Sequence, residues 1–503
     1  MQRQIEHLKE TKFDLLIVGG GITGAGVALD AVLRGFRVGL IDKGDFASGT
    51  SSVSSKLVHG GLRYLEHGDF RLVYEALHER RLLLNNSPHL VHPLRFVIPF
   101  YQGARVPFWK WRAGLTLYDL LAGKSNLRRS RPLPTRRVKA EFPGLDPRGL
   151  QGGAEYFDAQ MDDARLCLEV LQTASLRGAI LANYVEATGF ERTNGSISGV
   201  QATDRTTGDA FVIRARQILN ATGPWVDHIC RLAGDEGGPY LQPSKGVHLV
   251  VPDRGTKTAF LLLHPADGRI FFVLPWQGKT FVGTTDTLCE KAPEVLRATS
   301  EDINYLLTGF NRYFAPGLTE SDVINTFVGL RPLLHAQAND PSSLSREFRI
   351  WNPPSGLLSV AGGKYTTYRA MAEAVTDQVA QALGSKRPCR TRECKLDGAP
   401  LEPLPVFEAA EAIRLSRDNG LTLEKARHLV RRYGRRATDV AAYLEEGPSL
   451  AEPIVDGEPD LQVELAYQRD YEMALFPADH YLRRTRLGLF RPEILKTSAD
   501  GTA

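Results

Sequence analysis

The chain has 503 residues, of which 43% are hydrophobic and 24% are charged, and this composition predicts about two or three folded domains. The formal net charge is only +4, so the charge balance does not indicate a nucleic-acid partner, and no recognition motif for nucleic acid is present. The five cysteines are scattered, which favours reduced thiols in a cytosolic setting over a disulfide framework.

We predict neither a metal site nor a membrane span. Cys389 and Cys394 are close in sequence, but they lack a second pair of ligands. The charged N-terminal stretch has no signal-peptide core, and no apolar stretch approaches the ~20 residues that cross a bilayer.

The first predicted elements form a nucleotide-binding unit. Residues 13–18 are an apolar run typical of a buried parallel strand, residues 23–34 are predicted as a helix, and residues 37–41 as a second strand that ends at Asp42. A GxGxxG motif lies between the first strand and the helix. From this turn we assign the following residues to a cofactor: Gly19, Gly21, Ile22, Thr23 and Gly24.

Each part of this unit has a physical role. The glycines permit a tight turn and a close approach of the backbone to a pyrophosphate, and the N-terminus of the helix favours the anion. Asp42 can accept hydrogen bonds from ribose hydroxyls. NAD and FAD share this unit, so the fingerprint by itself leaves the choice between them open.

A serine-rich segment, TSSVSSKLVHGGLRYLE at 50–66, follows the fingerprint directly. It occupies the place where flavoenzymes bring backbone and side chains to the flavin ring. A serine nucleophile is not expected, because the segment has no GxSxG turn and no partnered base. The residues predicted to contact a flavin are Ser54, Ser55, Lys56, His59 and Gly60.

Two later segments favour FAD over NAD. A predicted strand at 217–220 ends in the ATG pattern (221–223) of FAD-dependent oxidoreductases. A second apolar strand at 357–361 leads into a GGK motif (362–364) and a helix over about 366–383, whose positive end can lie near the flavin or its ribityl chain. These segments add the following residues to the predicted FAD site: Ala221, Gly223, Gly363 and Lys364.

The order of the elements predicts an α/β fold (α+β overall) with interleaved domains. It comprises a Rossmann-like FAD-binding domain in discontinuous segments, a β-rich substrate domain and a helical C-terminal domain. Within the first of these, residues 161–177 predict a helix that Asp162 or Asp163 caps. The predicted ranges are 12–85, 150–245 and 325–385 for the FAD-binding domain, 86–149 and 246–324 for the substrate-binding or cap region, and 390–503 for the helical domain.

The segment 104–137 is basic and aromatic, with nine Lys or Arg residues and one acid. Interfacial membrane contacts combine such residues, because indole rings sit at the headgroup level and cations meet anionic lipid. We predict a peripheral contact with an anionic lipid surface here, in which Trp109 and Trp111 anchor at the interface and Arg128, Arg129 and Arg131 meet anionic headgroups. The basic stretch 483–486 is the alternative surface. A solvated basic surface with packed tryptophans is the other interpretation.

The motifs together resemble the FAD-dependent sn-glycerol-3-phosphate dehydrogenase family, of the membrane-associated respiratory kind. The chain lacks the long middle insert found in the soluble oxidase branch, which favours the quinone-reducing branch. The likeness covers nearly the whole chain and is carried by GGGITGAG (19–26), TSSVSSKLVHGGLRYLEHGDFRLVYEAL (50–77), MDDARL (161–166), NATGPWVD (220–227), KGVHLVVP (245–252), FVLPW (272–276), GTTDT (283–287), VGLRPLL (328–334), SVAGGKYTTYR (359–369) and RRTRLG (483–488).

The resemblance implies oxidation of sn-glycerol 3-phosphate to dihydroxyacetone phosphate, with hydride transfer from C2 to flavin N5. Electrons would pass to a membrane quinone at the cytoplasmic side of the inner membrane, and the family is compatible with a homodimer. A phosphate dianion requires a cationic clamp, and the planar fork of arginine meets phosphate with two hydrogen bonds. The substrate-binding residues implied are Arg63, Tyr64, Arg331, Arg346 and Lys364.

The catalytic residues implied are His248, Arg331 and Lys364. His248 is the natural proton acceptor at neutral pH, and Lys364 is the rival if cationic neighbours lower its pKa.

Two alternatives to this function stay open. One is an oxygen-using FAD oxidase of the same fold, acting on an amine, an amino acid or glycerol phosphate. The other is a non-catalytic flavoprotein that serves as a binding or redox-sensing module on membranes. Oxygen uptake with amines would indicate an amine oxidase, and failure of any polyol phosphate to reduce the bound flavin would indicate the module.

Overall fold

The computed structural model describes residues 1–289, 293–335 and 347–499. Its strands form two sheets, and its helices cover them and build a separate C-terminal layer. The strands are β1 (Phe13–Val18), β2 (Val38–Ile41), β3 (Leu57–Val58), β4 (Val91–Tyr101), β5 (Arg131–Pro134), β6 (Leu150–Met161), β7 (Ile180–Ala182), β8 (Val185–Thr193), β9 (Ser196–Asp204), β10 (Ala210–Asn220), β11 (Ser244–Pro252), β12 (Ala259–Leu263), β13 (Ile270–Trp276), β14 (Lys279–Gly283), β15 (Thr287–Leu288), β16 (Asn325–Arg331), β17 (Phe348–Trp351) and β18 (Leu358–Gly362).

The helices alternate with strands in the first part of the chain and follow one another in the last part. They are α1 (Ile5–Glu10), α2 (Ile22–Leu33), α3 (Phe70–Asn86), α4 (Phe108–Ala122), α5 (Thr135–Glu141), α6 (Asp163–Leu176), α7 (Val226–Leu232), α8 (Ser300–Asn311), α9 (Tyr368–Ala382), α10 (Leu404–Asn419), α11 (Leu423–Tyr433), α12 (Ala437–Ala442), α13 (Gln462–Glu472), α14 (Pro477–Asp479), α15 (Leu487–Phe490) and α16 (Glu493–Ala499).

The first sheet has the strand order β17–β18–β10–β1–β2–β7. The strands from β18 to β7 run parallel, and β17 is antiparallel at the edge. β1 lies in the middle and is apolar along its length, as expected for a strand covered on both faces. β10 begins earlier than its predicted range, because its first half pairs with the antiparallel β8–β9 hairpin.

Helices cover one face of this sheet, and the β8–β9 hairpin and α1 contribute to the core on the other. α2, α6 and α9 share one hydrophobic core with β1 and β2. Gly26 lets α2 approach α9 closely, since a Cβ there would lie 2.8 Å from the ring of Tyr368. The N-cap of α6 is Asp162, which accepts a hydrogen bond from the backbone amide of Arg165.

The second sheet has the order β15–β11–β14–β13–β12–β4–β6–β3, with β16 paired to β11 and β5 to β6. One of its two hydrophobic cores includes Leu115 and Tyr118 of α4. The other includes Leu306 and Phe310 of α8, a helix that begins with a capping box between Thr299 and Asp302.

The predicted α/β class with a helical C-terminal part is confirmed. The domain boundaries stay a prediction. β6 and β16 fall within ranges predicted for the FAD-binding domain, yet both pair in the second sheet. The two sheets are therefore joined by several chain crossings, and residues from both can meet at one site.

The C-terminal helices have a hydrophobic core of their own, centred on α11 and α13. Buried ion pairs link this layer to α6, the helix that packs against the first sheet. One of them joins Arg165 to Glu472 (2.5 Å). Among the helices in the described ranges, none combines the length and apolar character that crossing a bilayer requires.

Our first prediction concerns α6. Leu168 is fully buried in the core beside the first sheet, whereas Leu176 on the same helix is 64% exposed. Leu168→Ala removes buried methyl groups and leaves a cavity, so it is expected to lower the free energy of unfolding by about 2–5 kcal/mol. Leu176→Ala is the control and should change it by less than about 0.5 kcal/mol. Denaturant unfolding of both variants measures the difference, and equal losses would contradict the described packing of α6.

Candidate active site

The glycine turn after β1 leaves no room for side chains. Gly19 has a φ of +115°, and a Cβ on it would lie 2.6 Å from the carbonyl oxygen of Ala221. A Cβ on Gly24 would overlap the carbonyl oxygen of Gly19. The first turn of α2 carries no acidic residue, and Ser51 accepts a hydrogen bond from the amide of Ile22 (2.9 Å). The turn is thus a cradle with a positive helix end, which suits a phosphate group.

Asp42 lies beside this turn, as the fingerprint predicts. Its carboxylate accepts hydrogen bonds from the amides of Gly20 (2.7 Å) and Gly44 (2.9 Å). Burial raises the pKa of Asp42 to about 6, although both amides favour the charged form.

The serine-rich segment is held by a buried carboxylate from α6. Asp163 accepts hydrogen bonds from the Lys56 ammonium (2.7 and 2.8 Å) and from the amide and hydroxyl of Ser54. Lys56 is fully buried and also donates to the carbonyl of Ser52 (2.6 Å). The side chains of Lys56 and Ser54 therefore fix the shape of the loop.

The end of the loop contacts α4 and the GGK motif. The amide of Gly60 donates to the hydroxyl of Tyr118 (2.8 Å), and its carbonyl accepts a hydrogen bond from Lys364 (3.2 Å). Tyr118 in turn donates to the buried Asp158. Burial, together with the nearby charge of Lys364, lowers the pKa of His59 to about 3, so this imidazole is neutral.

The GGK motif brings Lys364 toward the same loop. Gly363 has a φ of +78°, which favours glycine, and the helical region after the motif begins with a short 3₁₀ turn before α9. The Lys364 ammonium lies 4.4 Å from the centre of the Tyr64 ring. Burial lowers the pKa of Lys364.

Three cationic side chains are thereby linked through Tyr64 and Asp286. The Arg63 guanidinium also lies over the Tyr64 ring, 5.2 Å from its centre. The Asp286 carboxylate lies 4.0 Å from the Arg63 guanidinium and 3.2 Å from the Arg331 guanidinium, so it links the two. The structure thus brings together Arg63, Tyr64, Arg331 and Lys364, as predicted from the sequence. Arg346, the fifth predicted substrate residue, lies outside the described residues.

The Arg331 guanidinium is oriented by its neighbours in the second sheet. It donates to the hydroxyls of Thr284 (2.8 Å) and Ser244 (3.3 Å) and to the carbonyl of Thr285 (3.2 Å). The guanidinium is about a quarter exposed, so it can also meet a ligand.

His248 lies on β11 next to this cluster. Its Nε2 is 2.9 Å from the hydroxyl of Ser55, and its ring stacks on Phe327 with 4.6 Å between centres. Burial, followed by the charges of Arg331 and Lys56, lowers the pKa of His248 well below its usual value. The imidazole is therefore neutral. Its Nδ1 is buried and has no hydrogen-bond partner among the described residues.

Sequence reasoning missed several members of this site. The missed polar residues that orient the predicted ones are Ser51, Tyr118, Asp163, Ser244, Thr284 and Asp286. Thr284 and Asp286 lie in the GTTDT block (283–287), and the fact that this block carries part of the family resemblance was the available signal for them. Tyr118 gave no such signal, because its segment had been assigned to a membrane surface.

The alternative membrane surface at 483–486 is wrong. Arg483, Arg484 and Arg486 are at most 8% exposed, and all three form ion pairs with buried carboxylates. They face the interior, so they cannot meet lipid headgroups.

Comparison with known proteins agrees with this geometry. The family model described as FAD dependent oxidoreductase matches residues 14–378, and the model described as C-terminal domain of alpha-glycerophosphate oxidase matches residues 389–503. A glycerol-3-phosphate dehydrogenase of Synechocystis is 37% identical, covering 97% of this chain and 91% of that protein. The aerobic glycerol-3-phosphate dehydrogenase of Bacillus subtilis is also 37% identical, covering 99% of this chain and 91% of its own length.

Two solved structures resemble this chain to different degrees. The glycerol-3-phosphate dehydrogenase of Bacillus halodurans, complexed with FAD, superimposes with a TM-score of 0.82 at 34% identity, covering 99% of this chain and 90% of that one. The L-alpha-glycerophosphate oxidase of Mycoplasma pneumoniae, with FAD bound, shares the fold, with a TM-score of 0.57 at 19% identity over 76% of this chain and 97% of that one.

The sheet order, the glycine cradle and the matched family model define an FAD-dependent oxidoreductase, and FAD is its cofactor. Within that class, full-length likeness to the dehydrogenases above shows that the chain belongs to the aerobic glycerol-3-phosphate dehydrogenase family.

Our second prediction tests the glycine cradle. Gly24→Ala should strongly reduce the amount of FAD that copurifies, because the added methyl group would overlap the Gly19 carbonyl and open the turn. Gly144→Ala is the control, since a Cβ there meets nothing within 4 Å. The flavin-to-protein absorbance ratio measures both. Full FAD content in the folded Gly24→Ala variant would refute the assignment.

Proposed function

We propose that the protein oxidises sn-glycerol 3-phosphate to dihydroxyacetone phosphate. The cluster of cations on Arg63, Arg331 and Lys364, adjacent to the flavin-type loop, carries this proposal. The relatives named above as glycerol-3-phosphate dehydrogenases support it. Bound FAD would supply the acceptor, at N5, for the hydride that leaves C2 of the substrate.

The predicted cofactor residues have matching places in this proposal. The glycine cradle at the start of α2 would hold the pyrophosphate, and Asp42 would meet the ribose. The loop from Ser54 to Gly60, with the ATG turn and the GGK motif, would face the rest of the cofactor. Because Lys56 is engaged by Asp163, we assign it the role of shaping this loop rather than of contacting the flavin with its ammonium.

The phosphate clamp would consist of Arg331 and Arg63. Each offers a planar fork of donors. Tyr64, whose ring contacts both Arg63 and Lys364, can add a hydroxyl donor. A phosphate dianion here would share the two guanidiniums with Asp286. Charged hydrogen bonds of this kind contribute about 1.5–3 kcal/mol each.

His248 is the proposed acceptor of the C2 hydroxyl proton. Its ring is neutral and can therefore accept a proton. The charge of Arg331 is one cause of its low pKa, so a phosphate dianion paired with Arg331 would raise the pKa of His248 and make it a stronger base when substrate is bound. Lys364, whose pKa is lowered by burial, is the second candidate for this role.

The proposed electron acceptor is a membrane quinone, reached from the cytoplasmic side by peripheral docking. α4 presents exposed apolar side chains, with Trp109 69% and Leu120 72% exposed, beside Phe108. The opposite face of the same helix carries Tyr118, which contacts the loop at Gly60. Trp111 packs partly against the core, and Arg131 pairs with Glu155, so these two residues are less suited to lipid contact than predicted.

An oxygen-using glycerophosphate oxidase is the second candidate function. It is favoured by the family model for the C-terminal domain, which is described from such an oxidase. The two candidates share the substrate and differ in the acceptor, so the rates at which oxygen and a soluble quinone reoxidise the reduced enzyme distinguish them.

The third prediction tests the substrate. Anaerobic addition of sn-glycerol 3-phosphate should bleach the bound flavin. Glycerol should not, because it lacks the phosphate, and the opposite enantiomer should not, because the C2 hydrogen would point away from the flavin when its phosphate is bound. Lack of bleaching by the phosphate ester would refute the proposed function.

Variants of two cations in the proposed site extend this test. Arg331→Leu and Lys364→Met should each lower kcat/KM by on the order of 10- to 100-fold while FAD content stays high, because the first removes a charged hydrogen bond to the phosphate and the second removes the cation beside the reacting centre. Lys257→Met, at an exposed position, is the control. Wild-type kcat/KM in both Arg331→Leu and Lys364→Met would contradict the substrate assignment.

The fourth prediction concerns docking. Replacing Trp109 with Ala and Leu120 with Ser should release the protein from anionic vesicles, since both side chains are exposed and each basic neighbour contributes only about 1 kcal/mol. Dye-linked dehydrogenase activity should be retained. Leu176→Ser, which alters an equally exposed leucine on α6, is the control. Undiminished co-sedimentation of the double variant would place the docking surface elsewhere.

A further inference from the structure

The short turn at the end of the C-terminal layer sends three arginines into the FAD-binding domain. We call residues 483–486 the RRTR turn. A π-helical turn over His480–Arg484 follows α14 and includes the first two residues of the RRTR turn. Arg486 has a φ of +72°, a conformation that residues with a side chain rarely adopt. This backbone directs the guanidinium of Arg486 to one loop and that of Arg484 to another.

The first loop is the serine-rich segment. Arg486 donates to the carbonyl of Ser52 (3.1 Å) and to the carboxylates of Asp162 (3.0 Å) and Asp163. Asp163 is the same carboxylate that holds Lys56 and Ser54. The cluster is buried, and its two carboxylates, Asp162 and Asp163, are balanced by two cations, Lys56 and Arg486.

The second loop follows Asp42. Arg484 binds both carboxylate oxygens of Asp45 (2.6 and 3.0 Å), and Arg483 binds Asp45 as well. Burial by itself would raise the pKa of Asp45, but Arg484 and Arg483 lower it to about 2. Asp45 is therefore a fixed negative charge three positions beyond Asp42. The amide of Ala47, two positions later, donates to the carbonyl of Gly20 in the fingerprint.

We propose that the RRTR turn is a cofactor clamp, in which Arg486 positions the flavin-facing loop through Asp163 and Arg484 positions the ribose-facing loop through Asp45. These arginines are positioning residues, because they act through the carboxylates and not on the cofactor. The inference rests on the placement of FAD proposed above. It gives the C-terminal domain a role in binding FAD, and it assigns each half of the cofactor to a different arginine.

The test is titration of apoprotein with FAD and with ADP, which carries only the adenosine diphosphate half. Arg486→Met should weaken FAD binding at least tenfold, leave ADP binding within twofold, and shift the visible flavin spectrum. Arg484→Met should weaken binding of both ligands and leave the spectrum of bound flavin unchanged. No substrate is involved, so failure of the proposed dehydrogenase reaction would leave these results untouched.

The matched control is Arg436→Met. Arg436 forms an equally buried ion pair from the C-terminal layer to Glu169 of α6, but its ion pairs reach neither loop. This variant should lower the thermal midpoint without changing FAD affinity or the spectrum. Arg486→Lys keeps the charge near Asp163 but not the full set of hydrogen bonds, so an intermediate FAD affinity is expected. It also serves as the test variant if Arg486→Met does not fold.

Two outcomes would overturn the clamp. One is an unchanged FAD affinity and spectrum in the Arg486 variants with a thermal midpoint lowered as in Arg436→Met, which would show a purely structural ion pair. The other is an equal loss of ADP and FAD binding in the Arg486 variants, which would show that the two halves of the site are not held separately.

Discussion

The structure depends on one constraint, which is that three parallel strands end at the same edge of one sheet. Val18 of β1 pairs with Asn220 of β10, and Asn220 pairs with Ser359 of β18. β1 and β10 end at this level, and β18 continues three residues beyond Ser359, to Gly362, at the same edge. Where β1 and β10 end, the approach is so close that only glycine fits at position 19. The fingerprint, the ATG turn and the GGK motif are neighbours for this reason.

Buried charges do the rest of the positioning. Asp163 is surrounded by Lys56, Ser54 and Arg486, while Asp158 is matched by Arg80 and Tyr118. A buried charge without its partner costs several kcal/mol, so each loop has one favourable arrangement. The reacting groups are consequently held in place before any ligand arrives. Burial, followed by the charges of Arg331 and Lys56, keeps His248 neutral.

Local motifs predicted much of this molecule, and long-range partners account for what they did not predict. The nucleotide unit could be predicted because a strand, a glycine turn and a helix are contiguous and each has its own periodicity. The ion pair of Lys56 with Asp163 could not be predicted, because the two residues are 107 positions apart and nothing in the local sequence reveals the pair, while flavin contact by Lys56 stays a prediction. The RRTR stretch reads as an exposed basic surface, yet its partners Asp45 and Asp163 bury it.

The proposed substrate cluster also combines residues that the sequence indicated with residues that it did not. Arg63, Arg331 and Lys364 were found through family blocks, and the structure brings them together around Tyr64 and Asp286. Asp286 was not predicted, because a carboxylate among cations proposed to bind phosphate opposes the simple charge argument. Trp111 was assigned to lipid from the basic and aromatic composition of its segment, but residues two positions apart on a helix lie on different faces, so Trp109 is exposed while Trp111 packs partly against the core.

The distance in sequence between the loops and the arginines also sets an order of assembly. Asp163 meets Arg486 across 323 positions, and Asp45 meets Arg484 across 439. At about 5–20 residues per second, a ribosome takes about 16–65 s to make the first of these intervals. During that time both carboxylates lack their arginine partners, and Asp163 has only its nearer partners Lys56 and Ser54. A chain interrupted before residue 483 would carry every motif of the nucleotide unit and still lack the ion pairs of Asp45 and Asp163 with these arginines.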